Sequence, residues 1–211
     1  MKNIYRKLRL AKQCITSIIK SREYLDVFDR VETHCMFLGY PRSGHSLIGS
    51  LLDAHPDIII ANELHTFRYI RYRFSKRQLF YLLLDNSQKF TNQGRTHTGY
   101  SYAVPNQWQG RFRRLRVIGD KRGSGSVKKL NLHPGLLQQL RRTVGIDMRF
   151  IHTVRNPYDN ISTIFEKSRR RNLKGSIDYY FFYVKGVINF KKQVADRELI
   201  EARHESFIHN P

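Results

Sequence analysis

Cysteine, tryptophan, acidic residues and long apolar runs are all scarce in this chain of 211 residues. Its two cysteines, Cys14 and Cys35, exclude a disulfide framework, and no Cys/His cluster has the spacing of a metal site. No apolar run approaches the ~18–20 residues that a membrane-spanning helix needs. Lys12, Gln13 and Thr16 interrupt the apolar residues of the amino-terminal segment, which argues against a secretory signal. We therefore expect a cytoplasmic protein without a bound metal.

The shortage of acidic residues leaves a large positive charge. The chain has 17 Asp and Glu against 38 Lys and Arg, a formal net charge of +21. The basic residues concentrate in segments 68–77, 111–129 and 167–174. Such a charge attracts anions and speeds their encounter with the protein. It predicts an anionic nucleotide or an anionic glycan as partner. A nucleic acid also matches the sequence pI of about 10.3, but it is the less expected alternative.

The length of the chain is that of one domain, and we expect a boundary near residue 35. Residues 1–34 are predicted to form a basic, helical extension, and residues 35–211 an α/β domain. A basic amphipathic helix either packs on its own domain or lies on a membrane surface. We favour packing on the domain and keep peripheral membrane contact as the alternative.

The segment from Cys35 to Glu63 contains the parts of a phosphate-binding site. Residues 36–40 are an apolar run typical of a buried strand, and residues 41–46 form a tight polar turn. Apolar residues then recur at helical spacing: Leu47, Ile48, Leu51 and Leu52. The first turn of a helix offers free N–H groups and a partial positive charge, to which Arg42 adds a full one. This segment therefore predicts an anion-binding loop.

A similar unit lies later in the chain. Residues 148–154 are typical of a strand, and Arg155-Asn156-Pro157 follows as a helix start. Further strands are predicted at 58–61 and 115–119, helices at 66–86, 134–142 and 178–192, and an irregular loop at 92–110. Alternating strands and helices imply an α/β fold, a parallel sheet flanked by helices, with its ligand at the carboxyl ends of the strands.

The turn at 41–46 resembles the 5′-phosphosulfate loop of the sulfotransferases, which bind 3′-phosphoadenosine 5′-phosphosulfate (PAPS). A nucleoside-triphosphate P-loop reads GxxxxGK[ST], whereas here the cation, Arg42, precedes the glycine. The sulfotransferase loop is commonly Pro-Lys/Arg-Ser-Gly-Thr-Thr/Ser. His45 departs from this pattern, and the other residues match it: Pro41, Arg42, Ser43, Gly44 and Ser46. The resemblance implies a P-loop-type sulfotransferase architecture, with residues 41–46 around the 5′-phosphosulfate.

The resemblance also implies a site for the 3′-phosphate. In the sulfotransferases an Arg at the end of a later strand and a Ser eight residues after it hold this group. Arg155 matches the Arg, Thr163 occupies the eighth position, and Ser162 lies beside it. Either hydroxyl could donate, and we favour Thr163.

Candidates for the transfer chemistry follow from the same resemblance. Arg42 is expected to neutralise the departing phosphate. Glu63, just after the 58–61 strand, resembles the catalytic Glu of protein-tyrosine and some bacterial sulfotransferases, and His65 is the second candidate for the base. Lys121 and Trp108 are expected on the acceptor side.

Residues 198–207 resemble the family's late strand. A helix and a glycine- and lysine-bearing loop over the nucleotide normally follow it, and no such loop precedes Pro211, so we expect weakened nucleotide affinity. The sequence predicts a metal-independent sulfotransferase that moves a sulfuryl group from PAPS to an acceptor hydroxyl, with a carbohydrate preferred. The alternatives are another P-loop transferase, such as a kinase, and a non-catalytic polyanion-binding relic of this fold.

Overall fold

The computed structural model describes residues 2–167 and 172–209, so residues 168–171 of the basic segment 167–174 lie outside the described residues. The strands are β1 (Thr33–Leu38), β2 (Ile58–Asn62), β3 (Thr96–His97), β4 (Tyr100–Ser101), β5 (Val117–Lys121), β6 (Asp147–Val154) and β7 (Leu199–Arg203). The helices are α1 (Lys2–Lys20), α2 (Leu25–Asp29), α3 (His45–Leu52), α4 (Thr66–Arg71), α5 (Lys76–Asn92), α6 (Gly123–Leu132), α7 (Leu136–Val144), α8 (Pro157–Lys167), α9 (Leu173–Lys191) and α10 (His204–His209).

A parallel sheet of order β2-β5-β1-β6-β7 forms the centre of the molecule. Strand β1 lies in the middle because its residues are apolar on both faces, and Met36, Phe37 and Leu38 are fully buried. The predicted parallel α/β fold is therefore confirmed. Since all five strands run the same way, their carboxyl ends meet at one edge of the sheet, which we call the carboxyl edge.

The alternation of side chains along β1 divides the core between the two faces of the sheet. Met36 and Leu38 belong to the larger apolar cluster, together with side chains such as Phe80 and Phe150. Cys35 and Phe37 belong to a smaller cluster that includes side chains of α3, β2 and β6. Packing on both faces fixes the strand register and thereby the positions of the residues that follow each strand.

The helix predicted over 66–86 is interrupted, so that prediction is wrong in its continuity. Residues 72–75 separate α4 from α5, and Arg73 adopts a positive φ of 58°. Ser75 caps α5 in a capping box: its side chain accepts from Gln78 N–H, and the Gln78 side chain accepts from Ser75 N–H. Two separate helix starts, at Thr66 and Lys76, let α4 stay beside the carboxyl edge while α5 packs along the core.

The loop predicted at 92–110 is more ordered than its composition indicates. It contains the β3–β4 hairpin, and the buried pair Asp53–Arg95 anchors its beginning at a distance of 2.8 Å. Asp53 also accepts from Gly110 N–H, at 3.2 Å, near the end of the loop. Gln109 donates to the carbonyl of Tyr102 and further fixes the loop. One buried carboxylate therefore ties both ends of this segment to the sheet.

Helix α1 packs on the domain, as the sequence analysis favoured. Gln78 of α5 donates to the Cys14 carbonyl at 3.3 Å and to Ser17 Oγ at 3.2 Å. Ser17 is fully buried by this contact. Within residues 2–167 and 172–209, no helix combines the length and the apolar character needed to cross a lipid bilayer.

Candidate active site

The loop between β1 and α3, residues 39–46, is shaped to expose backbone N–H groups. Arg42 and Gly44 adopt positive φ values of 65° and 93°, and Ser43 Oγ donates to the Tyr40 carbonyl at 2.9 Å. Within the described residues, no hydrogen-bond partner is found for the amide groups of residues 43–46. These are the free donors that an anion binds at a helix start. We call this segment the β1–α3 loop.

The His45 ring lies beneath the β1–α3 loop, packed into the protein. Its Nε2 is 3.0 Å from the Leu38 carbonyl, and its Nδ1 is 3.1 Å from Ser43 Oγ. A Cβ atom at Gly39 or Gly123 would lie 2.7 Å or 2.3 Å from the ring, so both glycines are needed for it to fit. Burial lowers the pKa of His45 to about 4, which keeps the ring neutral near pH 7. The side chain supports the loop, and the backbone N–H of His45 is one of the donors without a partner among the described residues.

Glu63, Lys121 and Arg122 form an ionic cluster next to the β1–α3 loop. Glu63 Oε1 is 3.2 Å from Lys121 Nζ, and Oε2 is 2.6 Å from Arg122 Nη1. Lys121 Nζ also donates to Ser46 Oγ at 3.0 Å. Burial lowers the pKa of Lys121, while Glu63 opposes this shift. The cluster therefore connects the predicted base directly to the predicted anion-binding loop.

Glycines make room for the two cations of this cluster. A Cβ at Gly49 of α3 would lie 2.7 Å from Lys121 Cγ, and one at Gly125 would lie 2.2 Å from Arg122 Nε. The Gly-Ser-Gly-Ser run that opens α6 is thus a second small-residue element at the site. The sequence analysis missed it, although two closely spaced glycines a few residues after a predicted strand were a visible signal.

Asp120 supports the segment that carries the candidate bases. It is fully buried and accepts from the N–H groups of Leu64, at 3.0 Å, and Thr66, at 2.8 Å. Burial raises the pKa of its carboxyl group. With these bonds Asp120 holds the chain at Glu63 and His65, both of which adopt positive φ, of 60° and 74°.

His65 lies at the site but outside the chain of contacts that links Glu63 to the loop. It lines a small cavity together with Arg122 and Lys129. Burial, followed by the charge of Arg122, lowers the pKa of His65 to about 4. Between the two candidate bases, Glu63 is the one in contact with Lys121, and through it with Ser46.

Arg155 joins the second predicted motif to the first. It follows β6, and its Nη1 donates to the Arg42 carbonyl at 2.9 Å. Asn156 Oδ1 accepts from Tyr158 N–H at 2.9 Å and caps α8. Thr163 donates its hydroxyl to the Asp159 carbonyl at 2.7 Å, and Ser162 is exposed on the same helix. Neither hydroxyl contacts Arg155 within the described structure, so the choice between them stays a prediction.

Two histidines that the sequence analysis did not single out lie at the site. His204 follows β7, and its Nδ1 would lie 2.5 Å from a Cβ at Gly44, so the ring packs on the β1–α3 loop. This Nδ1 is buried without a hydrogen-bond partner among the described residues. His97, on the β3–β4 hairpin, has its pKa lowered by burial and by the charge of Lys121. A strand end at the carboxyl edge was the signal for His204; nothing in the sequence indicated His97.

The two residues predicted on the acceptor side lie in different places. Lys121 is buried between Ser46 and Glu63, at the centre of the site. Trp108 donates its backbone N–H to the Ala54 carbonyl, beyond the carboxyl end of α3, and Arg111 lies over its ring at 5.4 Å. The β1–α3 loop lies at the opposite end of α3. The structure therefore does not bring Trp108 to Glu63.

Each strand of the parallel sheet is followed at once by part of the site. The β1–α3 loop follows β1, Glu63 follows β2, Arg122 follows β5, Arg155 follows β6 and His204 follows β7. The carboxyl edge of the sheet, where α/β folds commonly bind their ligands, thus carries the β1–α3 loop, several cations and one carboxylate. Among the described residues, no group of three or more His, Cys, Asp or Glu side chains is placed to hold a metal ion.

The model of the sulfotransferase family matches residues 36–211. The chain therefore belongs to the sulfotransferase family, and the resemblance seen in its motifs is confirmed.

Solved sulfotransferase domains share the fold. The chain is similar to the "Sulfotransferase Domain from the Synechococcus PCC 7002 Olefin Synthase", with a TM-score of 0.53, and to the "Sulfotransferase Domain from the Curacin Biosynthetic Pathway", with a TM-score of 0.52. In both cases the identity is 15%, and the match covers 86% of this chain and 70% of the other. At this identity the similarity supports the fold alone. Among curated proteins, none matches this chain.

Proposed function

We propose that this protein transfers a sulfuryl group from PAPS to an acceptor hydroxyl, with Glu63 as the base. The single observation that carries the proposal is the contact chain Ser46–Lys121–Glu63, with distances of 3.0 Å and 3.2 Å. Through these two contacts, the buried ammonium group of Lys121 links a loop with free amide donors to the carboxylate of Glu63.

The residues present fit the charges of PAPS. The free N–H groups of residues 43–46 and the side chain of Arg42 suit the 5′-phosphosulfate, and Arg155 suits the 3′-phosphate. Lys121 has three N–H donors, of which Ser46 and Glu63 take two in the described structure. The third is left for an oxygen of the sulfuryl group or of the departing phosphate.

The reaction requires one base and several cations. Glu63 would take the proton of the acceptor hydroxyl as the acceptor oxygen forms its bond to sulfur. The bond between sulfur and the bridging phosphate oxygen then breaks, and 3′-phosphoadenosine 5′-phosphate (PAP) departs. Arg42 and Lys121 would stabilise the negative charge that develops on this oxygen. Each carboxylate oxygen of Glu63 has a lone pair beyond the one used by Lys121 or Arg122, so the acceptor need not break an ion pair.

An anionic carbohydrate is the acceptor that the surroundings of Glu63 favour. Arg122 lies beside Glu63 and lines a small cavity with Arg68 and Lys129. Helix α6 begins at Gly123, next to Arg122, so its amino-terminal dipole adds positive potential. Three cations and a helix start suit a uronate-bearing or already sulfated glycan better than a neutral phenol.

A kinase is the competing enzyme, and the carboxylates of the site disfavour it. Transfer from a nucleoside triphosphate requires acidic groups available to magnesium. Asp120 is fully buried and accepts two backbone N–H groups, while Glu63 is held by Lys121 and Arg122. A non-catalytic polyanion-binding protein is favoured only by the net charge of +21.

Calorimetric titration with PAP, ADP and ATP tests the nucleotide assignment. We expect clear preference for PAP, because only PAP offers a 3′-phosphate to Arg155. Equal affinity for all three would contradict this assignment. A turnover assay with radiolabelled PAPS and a panel of uronate-bearing, sulfated and neutral glycans then tests the reaction. Binding of glycans without PAP binding or turnover would favour the polyanion-binding protein.

A further inference from the structure

Helix α1 exposes a continuous apolar stripe to solvent. We define the stripe as Ile4, Leu8, Ala11, Ile15, Ile18 and Ile19. Its large side chains are exposed by 45% at Ile18 to 63% at Ile4. At about 100° of rotation per residue, all six fall within one sector of about 100° on the helix surface. This is the arrangement that normally faces a protein core, yet here it faces outward.

The opposite face of α1 already has its partner. Leu10 and Cys14 pack against the main apolar cluster, and Ser17 is fully buried. Gln78 of α5 fixes this face through its bonds to Cys14 and Ser17. Because α1 uses its less apolar face against the domain, a rotation that buried the stripe would break these contacts. The stripe is therefore held in its outward position.

The surroundings of the stripe are basic. No Asp or Glu occurs between residues 2 and 20, and Lys7 and Lys12 flank the stripe on its two sides. The first acidic residue, Glu23, is already paired with Lys20 at 2.8 Å. An apolar stripe with a lysine on each side is the surface that anionic lipid headgroups and the underlying acyl chains complement.

The basic surface continues beyond α1. A cavity of about 320 Å³ is lined by Lys7 and Ala11 together with Tyr72 and Phe74. Phe74 also lines an adjoining cavity of about 890 Å³, whose other walls include Arg71, Arg73, Lys76 and Arg142. Tyr72 is 49% exposed, and an exposed Tyr is typical of a protein surface at the headgroup level of a bilayer.

We propose that the stripe docks this protein on an anionic membrane surface. The helix would lie in the plane of the interface, with the stripe inserted about 5–10 Å into the boundary between headgroups and acyl chains. Charge argues against a second copy of the chain as occupant, because two stripes in contact would bring the flanking Lys7 and Lys12 of both copies together. The inference concerns a surface outside the sulfotransferase site and does not depend on turnover.

Co-sedimentation of the full chain with vesicles tests the proposal. We expect binding to phosphatidylcholine vesicles that contain phosphatidylserine, weak binding to pure phosphatidylcholine, and a loss of binding at high salt. The double variant Leu8→Ser/Ile15→Ser should lower the affinity for the anionic vesicles by about tenfold or more. Lys7→Gln/Lys12→Gln should lower it by about fivefold per charge removed.

Ile188→Ser is the matched control, because Ile188 is a similarly exposed apolar residue, at 50%, on α9. It should bind like the parent. A second readout is Ile15→Trp, whose fluorescence brominated lipids should quench, whereas Ile188→Trp should stay unquenched. The proposal is overturned if the parent does not bind anionic vesicles, or if the Leu8/Ile15 variant binds them as well as the parent. A lipid-free dimer that this variant converts to monomer would assign the stripe to a second copy instead.

Discussion

The two sides of the carboxyl edge differ in how firmly contacts and burial hold the charged side chains of the site. On the β2–β5 side, Glu63, Lys121 and Arg122 are interlocked, and Lys121 is only 3% exposed. On the β6–β7 side, Arg155 is partly exposed, and its side chain holds only the Arg42 carbonyl among the described residues. The β1–α3 loop lies between the two sides.

This difference matches the tasks proposed for the two sides. Charge that develops in a transition state is stabilised best by groups fixed beforehand, since no reorganisation is then needed. A nucleotide, by contrast, supplies its own charges and can complete a partly exposed site on binding. We infer that the β2–β5 side governs turnover and the β6–β7 side governs nucleotide affinity. Four substitutions test this distinction.

Glu63→Gln should have the largest effect, a loss of about 10²–10⁴-fold in turnover, because it removes the proposed general base. The amide keeps the size of the side chain, and calorimetry should show PAP binding close to that of the parent. Turnover assays at saturating PAPS measure the effect. A Glu63→Gln protein with parental turnover would remove Glu63 from the mechanism and leave Asp120 and His65 to be tested.

Arg42→Ala should lower turnover by about 10²-fold, the usual loss when one electrostatic stabiliser of a developing charge is removed. The effect should be larger on kcat than on PAP affinity, since the charge on the departing oxygen is greatest in the transition state. Turnover within a few-fold of the parent would mean that Arg42 does not face the phosphosulfate. Arg9→Ala, at a basic position on α1, serves as the charge-matched control.

Arg155→Ala should weaken PAP binding by about tenfold or more, as expected for the loss of a charge-assisted contact. Affinity for 5′-AMP should change little, because 5′-AMP has no 3′-phosphate. Calorimetry with both nucleotides on parent and variant makes the comparison. Equal losses for the two would show that Arg155 acts through the β1–α3 loop backbone, and so belongs to neither side.

His65→Ala should have the smallest effect, a change of less than about threefold in turnover. His65 lies in the cavity with Arg122 and Lys129 and outside the contact chain from Ser46 to Glu63. The measurement is turnover across pH with each acceptor. A folded but inactive His65→Ala protein beside an active Glu63→Gln protein would exchange the roles of the two residues.

The sequence predicted those parts of the fold and site that depend on local pattern. Apolar runs located four strands of the parallel sheet, the family resemblance of residues 198–207 located the fifth, and the carboxyl-edge rule then placed the β1–α3 loop near Arg155. The contact from Arg155 to the Arg42 carbonyl, across more than a hundred residues, follows from the adjacency of β1 and β6. Pairing within a parallel sheet was therefore sufficient to bring the two motifs together.

Interactions between segments far apart in the chain could not be predicted from local sequence pattern. The break at residues 72–75 depends on a cap, and a continuous apolar pattern hid it. No local pattern indicated the partners of Glu63, which are Lys121 and Arg122 from β5 and its end. His97 reaches the site only because Asp53 and Arg95 anchor a loop whose composition indicated irregular structure.

Arg42, Glu63 and His65 all have backbones in the left-handed region, at φ values of 65°, 60° and 74°. A residue with a Cβ atom is held in such a conformation at a cost of about 1 kcal/mol or more, which glycine avoids and asparagine reduces. A library selected only for heat resistance should therefore accumulate Gly or Asn at Arg42 and His65. At Arg42 such variants should be more stable and slower in turnover, whereas at His65 they should gain stability at little cost in turnover. Of these two positions, only Arg42 would then mark a place where stability is given up for the proposed chemistry.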